Sequence, residues 1–423
     1  MGERIEYPTR EAAIYSPDTK SLPVRSVHRL SGRLSHIGRD GFQVVLGALW
    51  AIDGLLQLQP YMYEKGSNGL LGVVADNTMG HPNFITDFIA FVTRQMVAHQ
   101  LIGNTTVALI QLAMGVLLIW SGARRYYGIA RAALSISMAW ALIVWVVGEG
   151  VGGLIMPQAA MLTGAPGAAI LYGLAALYLW PSSKYQPKYS VPAGIRDGIS
   201  DKEEEVSDHD NGCNDDRDVL DSADGYNDDR GATKGMNKPG GNSTVTLDSN
   251  KGSAVASHGL LGQTGSYIAW AILWCGSSLL EFQYGNFAPH SIPIQIRYEA
   301  KGEPQWISFM DLHIASILHT SGTVVAGILL VVEFAVGWLI LRPATRRIAL
   351  ISGMVLAVVF WVVGQNFGTI FSGQATDLNS GPPLALLALL LWPGSTTRQG
   401  RRSASLGSND ASSGSSDAGI IHV

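Results

Sequence analysis

Two stretches decide how this chain is read: Trp145-Val-Val-Gly148-Glu149-Gly-Val-Gly152 and Trp361-Val-Val-Gly364-Gln365-Asn-Phe-Gly368. They are variants of one segment, so the chain carries an internal repeat, the feature to seek before any local motif. Working outward, further pairs line up in the same order. Trp50-Ala-Ile-Asp53-Gly-Leu-Leu-Gln57-Leu-Gln59 matches Trp274-Cys-Gly-Ser277-Ser-Leu-Leu-Glu281-Phe-Gln283, and Gln111-Leu-Ala-Met-Gly115 matches Glu333-Phe-Ala-Val-Gly337. Both halves then close on an apolar run ending in Trp-Pro, at Trp180-Pro181 and Trp392-Pro393.

The composition says where such a repeat lives. Of 423 residues, 47% are hydrophobic and only 15% charged, against roughly 25% charged in a soluble domain. The mean hydropathy of +0.19 averages long apolar blocks with polar tails, which excludes a single soluble core, a coiled coil and a disulfide scaffold. A spanning helix needs about 20 apolar residues. The blocks at 41–60, 101–121, 132–154, 166–181, 265–283, 319–341, 348–370 and 381–393 meet or approach that length. The fourth and eighth are short and are expected to extend into their flanks. The expected fold is an all-α integral membrane protein with eight transmembrane helices, arranged as two tandem parallel-repeat four-helix bundles. Residues 41–182 form the first module and 261–395 the second; 1–40 and 396–423 are polar tails without a signal peptide.

Lysine and arginine set the expected orientation. Arg25, Arg29, Arg33 and Arg39 precede the first span, Arg124, Arg125 and Arg131 lie between the second and third, and Lys184 and Lys188 follow the fourth. Arg342, Arg346 and Arg347 follow the sixth, and Arg398, Arg401 and Arg402 the eighth, whereas loops 155–165 and 371–380 have none. The positive-inside rule then places both termini and the linker in the cytoplasm of a multi-pass cell-membrane protein.

The formal net charge of -4 is unevenly spread, because 15 acidic and 5 basic residues fall between Asp197 and Asp248. The rest of the chain is therefore basic, at about +6, which suits a lipid bilayer surface and gives no sign of a nucleic-acid partner. The 183–260 linker, rich in Asp, Asn, Gly and Ser, is expected to be disordered. Its Asn242-Ser243-Thr244 sequon is a chance match on the cytoplasmic side. Cys213, in the linker, and Cys275, in an apolar block, are not expected to pair.

Ionisable groups within a membrane are costly and default to functional candidates. Four stand out: Asp53, Glu149, Glu281 and Glu333. Across the repeat, Asp53 faces Ser277, Gln57 faces Glu281, Gln111 faces Glu333 and Glu149 faces Gln365, so polar positions are shared while the charge moves. Asp53 and Gln57 share a helix face, as do Ser277 and Glu281. Gln57, Glu149, Glu281 and Gln365 fall near the outer ends of their helices, Asp53 lies deeper, and Gln111 and Glu333 lie near mid-membrane. A polar pocket in each bundle, open to the outside, is the expectation; the alternative is inter-helix hydrogen bonding that only fixes the packing. The glycines at 148, 152, 364 and 368, one helical turn apart in each half, are read as close helix contacts.

The outer loops 61–100 and 284–318 hold apolar helical stretches at 84–97 and 307–318 that are expected to cover the pocket. They also carry His81, His99, His290 and His313, with His319 close by. Met96 with His99, and Met310 with His313, pair thioether with imidazole at helical spacing, weak candidates for copper(I); the two pairs do not align, and no metal is expected. Walker, nucleophile-elbow and His-Glu-x-x-His signatures are absent.

The module resembles the DoxX/DoxD-like class of small four-helix membrane proteins. The likeness rests on Gly47, Trp50 and Gly54 in the first span, Gly115 followed by Arg124 in the second, a glycine-bearing third span and a short Leu/Ala-rich fourth. That resemblance implies quinone as a cofactor, with redox partner subunits. Three functional readings follow: a small-molecule or proton site in outward polar pockets, extending to proton-coupled transport; a quinone-linked redox component; and a membrane scaffold without its own chemistry. Oligomerisation is compatible with bundles this small, and catalytic residues are not assignable.

Overall fold

The computed structural model describes residues 38–65, 69–76, 80–97, 99–181 and 254–393. These belong to one compact unit that holds both halves of the chain. The N-terminal tail before residue 38, most of the linker, its sequon and Cys213, and the C-terminal tail lie outside the described residues. The first helix already includes Arg39 and Asp40.

Every regular element among the described residues is helical. The first half has α1 (Arg39–Leu56), α2 (Gly69–Asp76), α3 (Asn83–Val97), α4 (Gln100–Arg124), α5 (Tyr127–Ile143) and α6 (Ala168–Tyr178). The second has α7 (Gly262–Leu280), a helical turn at Tyr284–Phe287, α8 (Ser291–Glu299), α9 (Gln305–Ile317), α10 (Gly322–Leu339), α11 (Arg346–Val363) and α12 (Gly381–Leu390). Among the described residues four helices are long and apolar enough to cross a membrane: α4, α5 with its continuation to Gly148, α10 and α11. They present large apolar side chains outward, among them Leu109, Val116 and Trp120 on α4 and Val331, Phe334 and Trp338 on α10. Apolar groups that face away from the core are the pattern of a protein solvated by lipid.

Helix pairs are set by glycine. A Cβ on Gly47 would lie 2.7 Å from the Gly115 carbonyl oxygen, and one on Gly54 2.8 Å from Leu112 Cγ, so α1 and α4 cross with backbones nearly touching. In the second half a Cβ on Gly337 would lie 2.5 Å from Cys275 Sγ, and one on Gly353 2.5 Å from the Trp270 ring. Buried polar contacts add to this packing: Gln43 donates to Ser121 Oγ at 2.8 Å across the α1–α4 crossing, and Trp50 Nε1 on α1 donates to Ser137 Oγ on α5 at 2.9 Å.

Gly152 and Gly368 do allow close backbone approach, but not between helix faces as expected. The third helix of the first half ends in a π-turn at Val144–Gly148, and residues 150–153 then run with positive φ. Residues 366–369 do the same after α11. Both glycines therefore sit in left-handed turns, not on a helix face. Gly152 has φ 60°, and a Cβ there would collide with the Pro166 carbonyl.

Nor do the short fourth helices lengthen as expected. α6 starts after Pro166-Gly167 and stops before Trp180-Pro181; α12 starts on Gly381-Pro382-Pro383 and ends before Trp392-Pro393. Proline fits a helix start and cannot continue one. At 11 and 10 residues these helices are about 15–16 Å long, half a bilayer core. They pack against each other at the seam between the halves, which explains their uniformly apolar surfaces.

One end of the molecule gathers the arginines. Arg39 Nε donates to the Leu179 carbonyl at 2.6 Å, Arg131 to that of Pro181 at 3.1 Å, and Arg125 pairs with Asp40 at 3.4 Å. In the second half, Arg346 lies 4.1 Å over the Tyr267 ring and donates to the Ile340 carbonyl. These contacts tie together the starts of α1, α5 and α7 and the ends of α4, α6 and α10. The candidate site lies at the opposite end.

Candidate functional site

The site is assembled where α5, with its continuation to Gly148, and α11 give way to their left-handed turns. In the first half Trp145 Nε1 donates to the Pro166 carbonyl at 2.7 Å, and Glu149 Oε1 accepts the Ala169 N–H at 2.9 Å. Glu149 thus caps the start of α6, where free N–H groups and the helix dipole favour an acceptor. Gly167, at φ 98°, makes room: a Cβ there would collide with Glu149 Oε2. In the second half Trp361 Nε1 donates to the Leu378 carbonyl at 2.8 Å, and Gln365 Oε1 accepts the Gly381 N–H at 3.2 Å. The Gln365 amide nitrogen donates to Ser380 Oγ at 2.9 Å and, across the seam, to the Met161 carbonyl at 3.2 Å.

The halves exchange loops. Residues 161–164 of the first half reach the end of α11, where a Cβ on Gly364 would collide with the Leu162 carbonyl. Residues 376–379 of the second half reach the first, where Gln57 donates to the Thr376 carbonyl at 3.5 Å. This exchange delivers Asp377 to the carboxylates of the first half. Asp53, 1% exposed, faces Asp377, the Tyr172 hydroxyl, the Leu378 backbone amide and Glu149. Asp53 Oδ1, Glu149 Oε2 and the Tyr172 hydroxyl make no close hydrogen bond among the described residues. Asp377 is itself oriented, accepting from the Asn379 N–H at 2.6 Å and the Thr376 hydroxyl at 2.9 Å. Burial raises its carboxyl above the usual range, and those two hydrogen bonds oppose the rise.

A cavity of about 750 Å³ opens beside this cluster. Its ionisable walls are Glu149 and Asp377, with Glu299 from α8; Gln295, Gln374, Thr376 and Asn379 add polar atoms, and Met156, Pro157, Ile294 and Tyr298 apolar surface. The left-handed turns of both halves line it through Gly152, Gly153, Gly368 and Thr369. Left-handed backbone costs a non-glycine residue roughly 1–2 kcal/mol. Val151, Asn366, Phe367 and Thr369 all adopt it here. Strain of this kind persists where the surroundings over-determine it, often at functional sites. A polar relay fixes α8 across the seam: Gln295 donates to Asn286 Oδ1 at 3.0 Å, and Asn286 to the Ala159 carbonyl at 2.7 Å.

Beyond Glu299 lies an outer acidic group. Burial raises Glu299 and Glu303 to about 7 and Asp311 to about 6, with the neighbouring Asp311 pushing both glutamates further. Asn366 donates to the Glu299 carbonyl at 2.8 Å and holds this group against the left-handed turn.

Of the residues singled out from sequence, Asp53, Gln57 and Glu149 meet at this place, and Gln365 stands at the matching position across the seam. Gln111 is buried on α4, with its Oε1 unpartnered. Glu281 and Glu333 face each other inside the second half, away from the cavity walls, and Glu333 finds no hydrogen-bond partner among the described residues. Met96 packs against the Met62–Ile89 cluster under α3, His99 precedes α4, and His313 stacks on Phe309 beside Met310 on α9. Among the described residues no group of three or more His, Cys, Asp or Glu side chains is placed to hold a metal ion.

Sequence reading missed Asp377, Glu299 and Tyr172. Thr376-Asp377-Leu378-Asn379 has the composition of a self-bonded turn, and Tyr172 is one of two hydroxyls on the otherwise apolar α6, so both carried a signal. Glu299 had none that separates it from a solvated surface acid. Compared with known proteins, the chain matches no family model, no curated protein and no solved structure.

Proposed function

We propose that the chain is a multi-pass cell-membrane protein of eight membrane helices, the fourth of each half reaching only part of the way across, built from two tandem modules of DoxX/DoxD-like type with both termini cytoplasmic. On this reading it binds a small molecule in one outward cavity that the two halves build together. The carrying observation is the meeting of Asp53 and Glu149 with Asp377 from the other half, with buried oxygens unpartnered beside a cavity of about 750 Å³. Such groups are costly unless they serve a ligand or a proton, and the volume is that of a small-molecule pocket. The matched hydrogen bonds of Trp145 with Trp361 and of Glu149 with Gln365 support the duplication, as do the two left-handed turns. The arginines at the opposite end support the orientation.

Ligand entry coupled to proton exchange at Asp53 and Glu149 would make this a proton-coupled transport site. The scaffold alternative draws on Gln365, whose amide is fully used in packing. It leaves Asp53 Oδ1 and Glu149 Oε2 unexplained. The test is a mass-spectrometric inventory of small molecules co-purifying with the full chain and with Asp53→Asn/Glu149→Gln. A compound retained by the wild type and lost from the variant is expected, and a quinone in that role would favour redox work. Identical inventories from two equally folded proteins would overturn the pocket reading.

A further inference from the structure

The ligand class can be read from what lines the cavity. Its ionisable wall residues, Glu149, Glu299 and Asp377, are all acidic, and among the described residues no Lys, Arg or His lines it. Behind them Asp53 is 1% exposed, and its unpartnered Oδ1 belongs to a carboxylate that faces Asp377 and Glu149. A cluster of buried acidic groups, one oxygen of which makes no close hydrogen bond among the described residues, favours an occupant that brings positive charge and hydrogen-bond donors. Lys301 rests 4.8 Å over the Tyr298 ring and is not among the residues that line the cavity.

The other walls decide between a bare ion and an organic one. About 750 Å³ far exceeds a single ion's need, and Met156, Pro157, Ile294 and Tyr298 offer apolar surface for a carbon skeleton. Hard metal ions want a converging set of oxygens, and no such group exists among the described residues.

We infer that the cavity takes a small organic cation, an amine or guanidinium whose charged N–H groups reach Glu149 and Asp377 while its carbon body lies along Met156, Ile294 and Tyr298. This rests on the pocket reading above and adds the chemistry of the occupant. The carboxylates come from both halves, so the site is incomplete in either module alone.

The test uses the full chain in lipid nanodiscs and three linear probes of similar length: spermidine as cation, triethylene glycol as neutral control and adipate as anion. Each is titrated calorimetrically against wild type, Glu149→Gln, Asp377→Asn and Glu299→Gln. Among the described residues the Glu299 side chain makes no hydrogen bond that a glutamine would lose, so the last variant carries little folding risk. Spermidine is expected to bind in preference to both controls, with each variant weakening it by about tenfold, the equivalent of roughly 1.4 kcal/mol. Spermidine binding that survives all three substitutions would belong to the acidic 197–248 stretch and would overturn the inference. No spermidine binding would overturn it as well. Equal or better binding of triethylene glycol or adipate, lost in Glu149→Gln, would overturn the cation while leaving the pocket in place. The co-purification inventory tests the pocket separately.

Discussion

Glu149 separates a structural carboxylate from a ligand-binding one, because its two oxygens have different tasks. Oε1 accepts the Ala169 N–H at 2.9 Å and caps α6, while Oε2 has no partner among the described residues. Glu149→Leu removes the cap and leaves a buried N–H unsatisfied, a loss of about 1–3 kcal/mol. Glu149→Gln keeps a carbonyl oxygen at the cap. It gives up the stronger acceptance of a carboxylate oxygen, worth about 1 kcal/mol, and it removes an acidic group from beside Asp377 and Asp53. The two changes oppose each other, so the expected stability difference is within about 1 kcal/mol of wild type. The hydrogen bond from Trp145 to the Pro166 carbonyl, 2.7 Å here, does not involve Glu149, so both variants are expected to keep the loop in place. The assay is reversible denaturation in mixed micelles, followed by tryptophan fluorescence for all three proteins. Glu149→Gln as unstable as Glu149→Leu would refute the separation of tasks and make the charge a packing device.

Further outcomes are expected elsewhere. Gln365→Leu breaks bonds to Met161, Ser380 and Gly381 and should destabilise the chain by about 2–4 kcal/mol in the same denaturation assay. Gly47→Ala forces a methyl to 2.7 Å from the Gly115 oxygen and should cost about 1–3 kcal/mol, whereas Gly276→Ala, with nothing within 4 Å, should be neutral or stabilising by up to about 1 kcal/mol; thermal melts of the pair check the contrast. Glu299, Glu303 and Asp311 hold native pKa values of about 7, 7 and 6, above the unfolded carboxylate range near about 4. Between those limits the native state keeps protons that the unfolded chain has released, so stability is highest at the acidic end and falls as pH rises toward about 7. Melting temperatures across that window should show the fall, and Asp311→Asn should flatten it.

Much of the fold was legible because apolar block length is a one-dimensional property. The helices found at 39–56, 100–124, 322–339 and 346–363 lie close to the blocks read from sequence. The fourth block of each half misled for a physical reason: an all-apolar run looks the same whether it meets lipid or another helix, and α6 and α12 meet each other. Gly148 and Gly152 misled likewise, since four-residue spacing implies a shared face only if the helix continues, and the backbone turns left-handed at Gly150. Within the site, Asp53, Gln57 and Glu149 stood out because charge and amide groups are rare in apolar blocks. Asp377 did not, because its importance comes from a loop exchange between sequence-distant halves, which neither pattern nor repeat encodes.

The most direct test of a site shared by both halves is a double-mutant cycle between Glu149→Gln and Asp377→Asn, read as unfolding free energy of the full chain. The two side chains face each other across the seam, so an interaction energy beyond about 0.5 kcal/mol is predicted. Strict additivity of the two substitutions would contradict it, and would leave the carboxylates of the two halves as separate features.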